Sequence, residues 1–148
     1  KDIYFLYSPK DSVPQGGGPS GWGAAALLSA VDEGLAGVED VDCLYREIDF
    51  SPRFAVTPYR ELRYITGYES SGVYVDIRWI GTDEGMRYDV LSPAERINAH
   101  IMLPKGKACR EVFVNGERAA FRSVRVADSA YVDFTASANG KLSVEICY

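Results

Sequence analysis

The sequence predicts a mainly β protein, an antiparallel β-sandwich of about eight strands carrying one N-terminal α-helix. Three observations predict it. Turn signals recur about every ten residues from Ser51 onward, which is the rhythm of a sandwich or barrel. Strict alternation of apolar and polar residues marks several of the segments between them. Helical periodicity is confined to one stretch, Gly21 to Ala36.

That stretch is the element around which the chain is organised. Ser20 is placed to cap it, because a hydroxyl there can accept from a free first-turn amide, and Ala24, Ala25 and Ala26 follow with high helix propensity. Ala24, Leu27, Leu28, Val31 and Leu35 fall at spacings of three and four and make an apolar stripe, and Gly37 suits a left-handed stop. The polar side is thin. Ala25, Ala26 and Ala30 widen the apolar surface, so the helix calls for neighbours on most sides. Asp32, Glu33, Glu39 and Asp40 crowd its C-terminal end, where the macrodipole is negative, so a basic neighbour or a functional need is expected to offset them.

The remaining elements follow in order. Asp2 to Tyr7 reads as a strand or extended arm, and Pro9, Pro14, Pro19 and the glycines between them are expected to break regular structure up to Ser20. The tract Gly16-Gly17-Gly18 leads into a helix but lacks the spacing and lysine of a phosphate loop. Val38 to Tyr45 reads as an acidic connection, and Arg46 to Phe50 as a strand closed by Ser51-Pro52-Arg53. Strands are then expected at Tyr59 to Thr66, Gly72 to Ile80, Met86 to Leu91 and Arg96 to Leu103. Further ones are expected at Glu111 to Val114, Glu117 to Val126, Tyr131 to Thr135 and Leu142 to Tyr148. Val73, Val75, Ile77 and Trp79 share one face, as do Ile97, Ala99, Ile101 and Leu103. Asn115-Gly116 is a strong two-residue hairpin signal, and Ala127-Asp128 and Asn139-Gly140 are further turns. No connection has the length of a crossover, so all pairs are expected to be antiparallel.

Composition excludes several functions. The chain has 148 residues, 47% hydrophobic and 12% aromatic, enough for a proper core. A net charge of -5 with scattered Lys and Arg is not a nucleic-acid or anionic-membrane footprint, and no apolar run could span a bilayer. Cys43, Cys109 and Cys147 form no C-x-x-C pair, and one histidine, His100, cannot complete a metal site; neither metal nor cofactor is expected. The cysteines read as free, mostly buried thiols. Lys1 is not a methionine, and the chain is expected to be a piece cut from something longer.

No catalytic constellation is visible. Asp32 with Glu33, Asp40 with Asp42 and Asp83 with Glu84 read as solvated acids rather than a glycosidic pair. His100 reads as a surface histidine opposite the apolar face of its strand, with no nucleophile elbow to serve. Tyr64, Tyr68, Tyr74 and Tyr88 could form a stacking platform for sugar rings, although tyrosine is also a favoured strand residue.

The stretch GWGAAALLSAVDEGLAGVEDVD followed by REIDFSPR, residues 21–53, resembles the end of an (α/α)6-barrel glycoside hydrolase. There the last barrel helix has an EGLAGV-like ending and the chain leaves through an I-x-F-S-P-R-like strand into a C-terminal β-sandwich. INAHIMLPKGKACREVFVNGERAAF resembles the strand, L-P-x-G and V-x-V-N-G hairpin of that sandwich, and SAYVDFTASANGKLSVEICY its closing strand pair. The resemblance implies that residues 1–45 are an arm, a Gly-rich loop and a remnant barrel helix, and that residues 46–148 are the sandwich. It implies that Gln15, Gly17, Ser20 and Trp22 lie near substrate in an intact enzyme, together with Gly16 and Gly18. It also implies that the general acid and base lie elsewhere, so no catalytic residue and no hydrolysis are expected of this chain alone. The partners it implies are carbohydrate and the missing catalytic domain, or a homo-oligomer formed through the helix. Two readings stand beside it: an autonomous carbohydrate-binding module, and a structural or protein-interaction domain.

Overall fold

A computed structural model describes residues 4–8, 10–11, 13–19 and 21–148, with the side chains of residues 4–7 and 14–19 left undescribed. The Ser20 cap falls outside the described residues. Strands β1 (Tyr4–Tyr7) and β2 (Pro14–Pro19) form an antiparallel ribbon. The tract expected to break structure is therefore extended. Its prolines sit at the strand ends, where a missing donor is tolerated, and the register shift between Tyr4 and Leu6 falls opposite the glycines.

Helix α1 (Gly21–Ser29) runs on into a wider, π-helical stretch (Ala30–Ala36) and stops at Gly37, whose φ of 66° is the expected left-handed stop. A basic neighbour does meet the acidic helix end. Arg53 Nη1 donates to the carbonyls of Gly34 at 2.7 Å and Glu33 at 3.3 Å, placing a guanidinium where the backbone dipole is negative. The backbone N–H of Arg53 donates to Leu35 O and that of Ser51 to Gly37 O, so the segment after β4 is laced to the helix end.

The acidic connection is a strand, β3 (Val38–Asp42), hydrogen-bonded to β4 (Glu47–Phe50). The remaining strands are β5 (Glu61–Tyr68), β6 (Val73–Gly81), β7 (Gly85–Ser92), β8 (Arg96–Met102), β9 (Glu111–Val114), β10 (Glu117–Ala119), β11 (Arg122–Val126), β12 (Ser129–Ala136) and β13 (Gly140–Cys147). One sheet has the order β10-β9-β13-β7-β6-β5 and the other β11-β12-β8-β4-β3, giving the expected sandwich with eleven strands among the described residues. Glu117 to Val126 is two strands rather than one. The chain leaves the first sheet at Ala119 and enters the second at Arg122, so Ala120 and Phe121 form a corner.

One pairing is parallel, contrary to expectation: β4 runs alongside β8 with Asp49 opposite Asn98. The crossover that a parallel pair needs is supplied by strands of the opposite sheet, β5 to β7, instead of by a helix.

The alternation predicted from sequence sets the core. Val75, Ile77 and Trp79 of β6 meet Ile97, Ala99 and Ile101 of β8 across the sandwich interior, all buried. Tyr88 is fully buried against Phe50, edge-to-face at a centroid distance of 5.6 Å, and stacks on Phe54 at 6.4 Å. The Asn115-Gly116 hairpin forms as expected, with φ of 51° and 83° joining β9 to β10. All three cysteines are free, but Cys43 is exposed and the others half-buried, so they are less buried than expected.

Two substitutions test the backbone constraints. A Cβ on Gly37 would meet the backbone carbonyl of Ser51 in a left-handed conformation, so Gly37→Ala should cost about 2–5 kcal/mol in chemical denaturation. Ala127 is held at φ of 50° in an exposed turn, and Ala127→Gly should raise stability by about 0.5–1 kcal/mol, read from the same denaturation curves.

Candidate functional site

Of the residues expected near substrate, Ser20 lies outside the described residues and the others fall on β2 and α1. Gln15 and Gly17 are on β2, Gln15 opposite Leu6. Trp22 stands in the first turn of α1 and is 82% exposed. Leu27 and Leu28 are also exposed, and none of the residues of α1 is buried among the described residues. The helix thus presents an apolar surface that its own sandwich does not shelter.

Ala36, buried in the core, and Leu35 against it seat the helix end, and polar bonds tie the helix and the neighbouring β3 to β5. Tyr64 on β5 donates its hydroxyl hydrogen to Asp32 Oδ1 at 2.5 Å. Tyr68 donates to Asp40 Oδ2 at 2.8 Å, and Asp40 Oδ1 accepts from the Tyr45 backbone at 3.1 Å. Tyr45 stacks on Tyr68 at 5.0 Å, and Leu44 and Tyr45 both adopt positive φ, strain that the Asp40 bonds stabilise. Asp32 and Asp40 are therefore anchors, not merely solvated acids. Burial and the Asp32 bond push the Tyr64 phenol up to about 12, and the Asp40 bond pushes Tyr68 up to about 12.

These tyrosines do not make a sugar platform with Tyr88, which is core, while Tyr64 is tied to the helix. Tyr68 and Tyr74 alone of the four are exposed.

The outer faces of the two sheets differ. On the six-stranded sheet the charges neutralise one another: Arg63 grips Asp76 through two bonds, at 2.9 and 2.6 Å, Arg78 pairs with Glu61, and Arg87 with Asp89 and Glu145. The five-stranded sheet instead carries a groove of about 710 Å³. Cross-strand register lays two polar rows across it: Arg122, Asp133 and His100 in one, and Thr135, Asn98, Asp49 and Glu39 in the other. Alternation does put His100 opposite the apolar face, as expected, but the histidine is not simply solvated.

His100 Nδ1 lies 2.6 Å from Asp133 Oδ1, Arg122 Nη2 donates to Asp133 Oδ2 at 2.8 Å, and the His100 ring stacks on Tyr131 at 4.1 Å. Burial pushes the Asp133 carboxyl up, yet the bonds from Arg122 and His100 outweigh it and hold the group below the ordinary carboxylate value. Ionised Asp133 can only accept, so Nδ1 carries the hydrogen and Nε2 is the nitrogen left for another partner. No serine or cysteine hydroxyl or thiol is bonded to His100 among the described residues, which leaves the pair without a nucleophile. No group of metal-ligating side chains occurs among the described residues.

No family model matches the chain, and no curated protein matches it. Solved structures do. The chain superposes on an α-L-rhamnosidase from Dictyoglumus thermophilum with a TM-score of 0.53 at 15% identity, over 77% of this chain and 12% of that one. The match to the Streptomyces avermitilis α-L-rhamnosidase, solved as a complex with L-rhamnose, has a TM-score of 0.50 at 16% identity, over 92% of this chain and 12% of that one.

The chain has the fold of a segment of α-L-rhamnosidases. It spans about an eighth of their length, and the likeness is one of fold.

The polar bonds set two pH limits. A tyrosine whose folded pKa is raised contributes stability that is complete below about 10, its unfolded value, and lost as pH rises towards 12. Tyr64→Phe and Tyr68→Phe should therefore flatten alkaline unfolding in melts between those values. Asp133 has the opposite sign: its contribution is present above its unfolded pKa and lost as pH falls through the folded one. Arg122→Ala should move the acid limb of a pH-stability curve to higher pH.

Proposed function

We propose that this chain is the C-terminal accessory portion of a glycoside hydrolase acting on α-L-rhamnosides. In this reading the helix from Gly21 to Ala36 is the last helix of an (α/α)6 barrel, the residues up to that helix belong to the barrel, and the sandwich that buttresses it begins with β3 at Val38. The observation that carries the reading is the uncovered helix: Trp22, Leu27 and Leu28 are 82%, 54% and 63% exposed, in a fold that accounts for 12% of each α-L-rhamnosidase. A helix apolar all round needs cover on all sides, and neighbouring barrel helices would supply it.

The π-helical end, the Gly37 stop and the Arg53 clamp then form the exit from barrel to sandwich. Gln15, Gly17, Ser20 and Trp22 would face the sugar cleft, with Trp22 offering a ring for stacking. The sandwich is structural, and the general acid and base belong to the barrel.

Three measurements test this. The reading frame upstream of Lys1 should encode several hundred residues of helical repeats; a start codon at that point would refute the proposal. The isolated chain should not hydrolyse p-nitrophenyl α-L-rhamnoside, whereas the full-length product should. In that full-length enzyme Trp22→Ala should raise KM about tenfold with kcat little changed, the loss of one stacking contact.

A further inference from the structure

The groove on the five-stranded sheet has a composition that the proposed supporting role does not use. It exists because short side chains lie at its centre and taller ones at its rims. Thr135 and Asn98 face each other on β12 and β8, Phe121 rises from the sheet-changing corner on one side, and Glu39 closes the other. Cross-strand pairs on a solvated face are common, but here they leave bonding capacity directed into a concavity.

Asp49, His100 and Arg122 are each held by a neighbour and retain a free position. Asn98 Nδ2 donates to Asp49 Oδ1 at 2.9 Å and to Glu47 Oε1 at 3.1 Å, and Asn98 Oδ1 accepts from Arg96 Nε at 3.0 Å. Both Asn98 donors are thereby used, and the amide serves to fix Asp49, whose second oxygen is an unfilled acceptor. In the other row Asp133 fixes both His100 and Arg122; Nε2 of His100 and the second terminal nitrogen of Arg122 stay open. Side chains pinned in advance lose less freedom when a ligand arrives.

We propose that this groove is a binding site for a neutral saccharide, one or two sugar rings long. Its open positions are donors at Arg122 and acceptors at Asp49 and at Nε2 of His100, with Thr135 able to act as either. A hydroxyl is donor and acceptor at once, so a ring carrying several of them meets every position. A lone ammonium group can only donate and leaves Arg122 unmatched, although Glu39 and Asp49 attract its charge, so charge alone does not separate a neutral sugar from an amino sugar. A carboxylate or phosphate can only accept, and it meets the uncompensated charges of Glu39 and Asp49, directly opposite on β3 and β4. The site is distinct from the residues proposed on β2 and α1 and uses no part of the missing barrel, so it stands whether or not the chain is a hydrolase fragment.

The test is an amide-resolved NMR titration of the intact chain with cellobiose and glucuronate. Cellobiose should shift the resonances of residues 98–100, 122 and 133–135, glucuronate less at equal concentration. His100→Ala and Arg122→Ala should each weaken cellobiose binding about tenfold, the cost of one lost bond to the ligand, and Arg78→Ala on the opposite sheet should leave it unchanged. Should a groove variant fail to fold, exposed Thr135→Ala gives the same readout. Silence of the groove residues with both sugars, a preference for glucuronate, or equal loss from Arg78→Ala would overturn the proposal.

Discussion

The parallel ladder between β4 and β8 is the contact on which the rest of the molecule depends. It joins the N-terminal pair β3 and β4 to the C-terminal strands of the same sheet through its central strand, β8. One face of β4 gives Ile48 and Phe50 to the core; the other brings Asp49 beside Asn98. Its continuation, Ser51 to Arg53, grips the end of the helix. Loss of that ladder would uncouple helix, core and groove together, because the same few residues serve all three.

The helix is attached by hydrogen bonds and a glycine contact, not by a buried apolar face. Leu35 and Ala36 reach the core, while the residues of α1 do not. Beyond those two, its attachment uses groups that tolerate water: the Tyr64 hydroxyl on Asp32, and an arginine on backbone carbonyls. This pattern fixes the direction in which the helix leaves and keeps its apolar sides open to other elements.

The two outer faces illustrate how equal numbers of polar residues can have different consequences. Where arginines and carboxylates pair on the six-stranded sheet, each ion pair contributes little, roughly 0–1 kcal/mol, and presents a solvated lattice. Across the five-stranded sheet an amide and an imidazole take the central positions, and their geometry leaves neighbouring carboxylates partly unfilled. The difference lies in which residues the register sets opposite one another.

Residues that alternate locally were legible in the sequence. The faces of β6 and β8, the Asn115-Gly116 hairpin and the Gly37 stop all follow from side-chain period and backbone sterics, which act over a few positions. The helix and its excess of apolar surface were legible for the same reason. Strand partners were not: β3 looked like an acidic linker because its polar side chains face out on an exposed edge, and β2 like a breaker because its glycines and prolines are tolerated only in a two-stranded ribbon. The same holds for Asp133 and His100, which are 33 positions apart and become neighbours only through the register of β12 on β8. Propensity and period are properties of a segment, and so the sequence by itself determined the elements and their buried faces. Pairing depends on which distant backbone completes each ladder, and so only the tertiary structure decided the parallel strand, the sheet change at Ala120 and Phe121, and the groove they create.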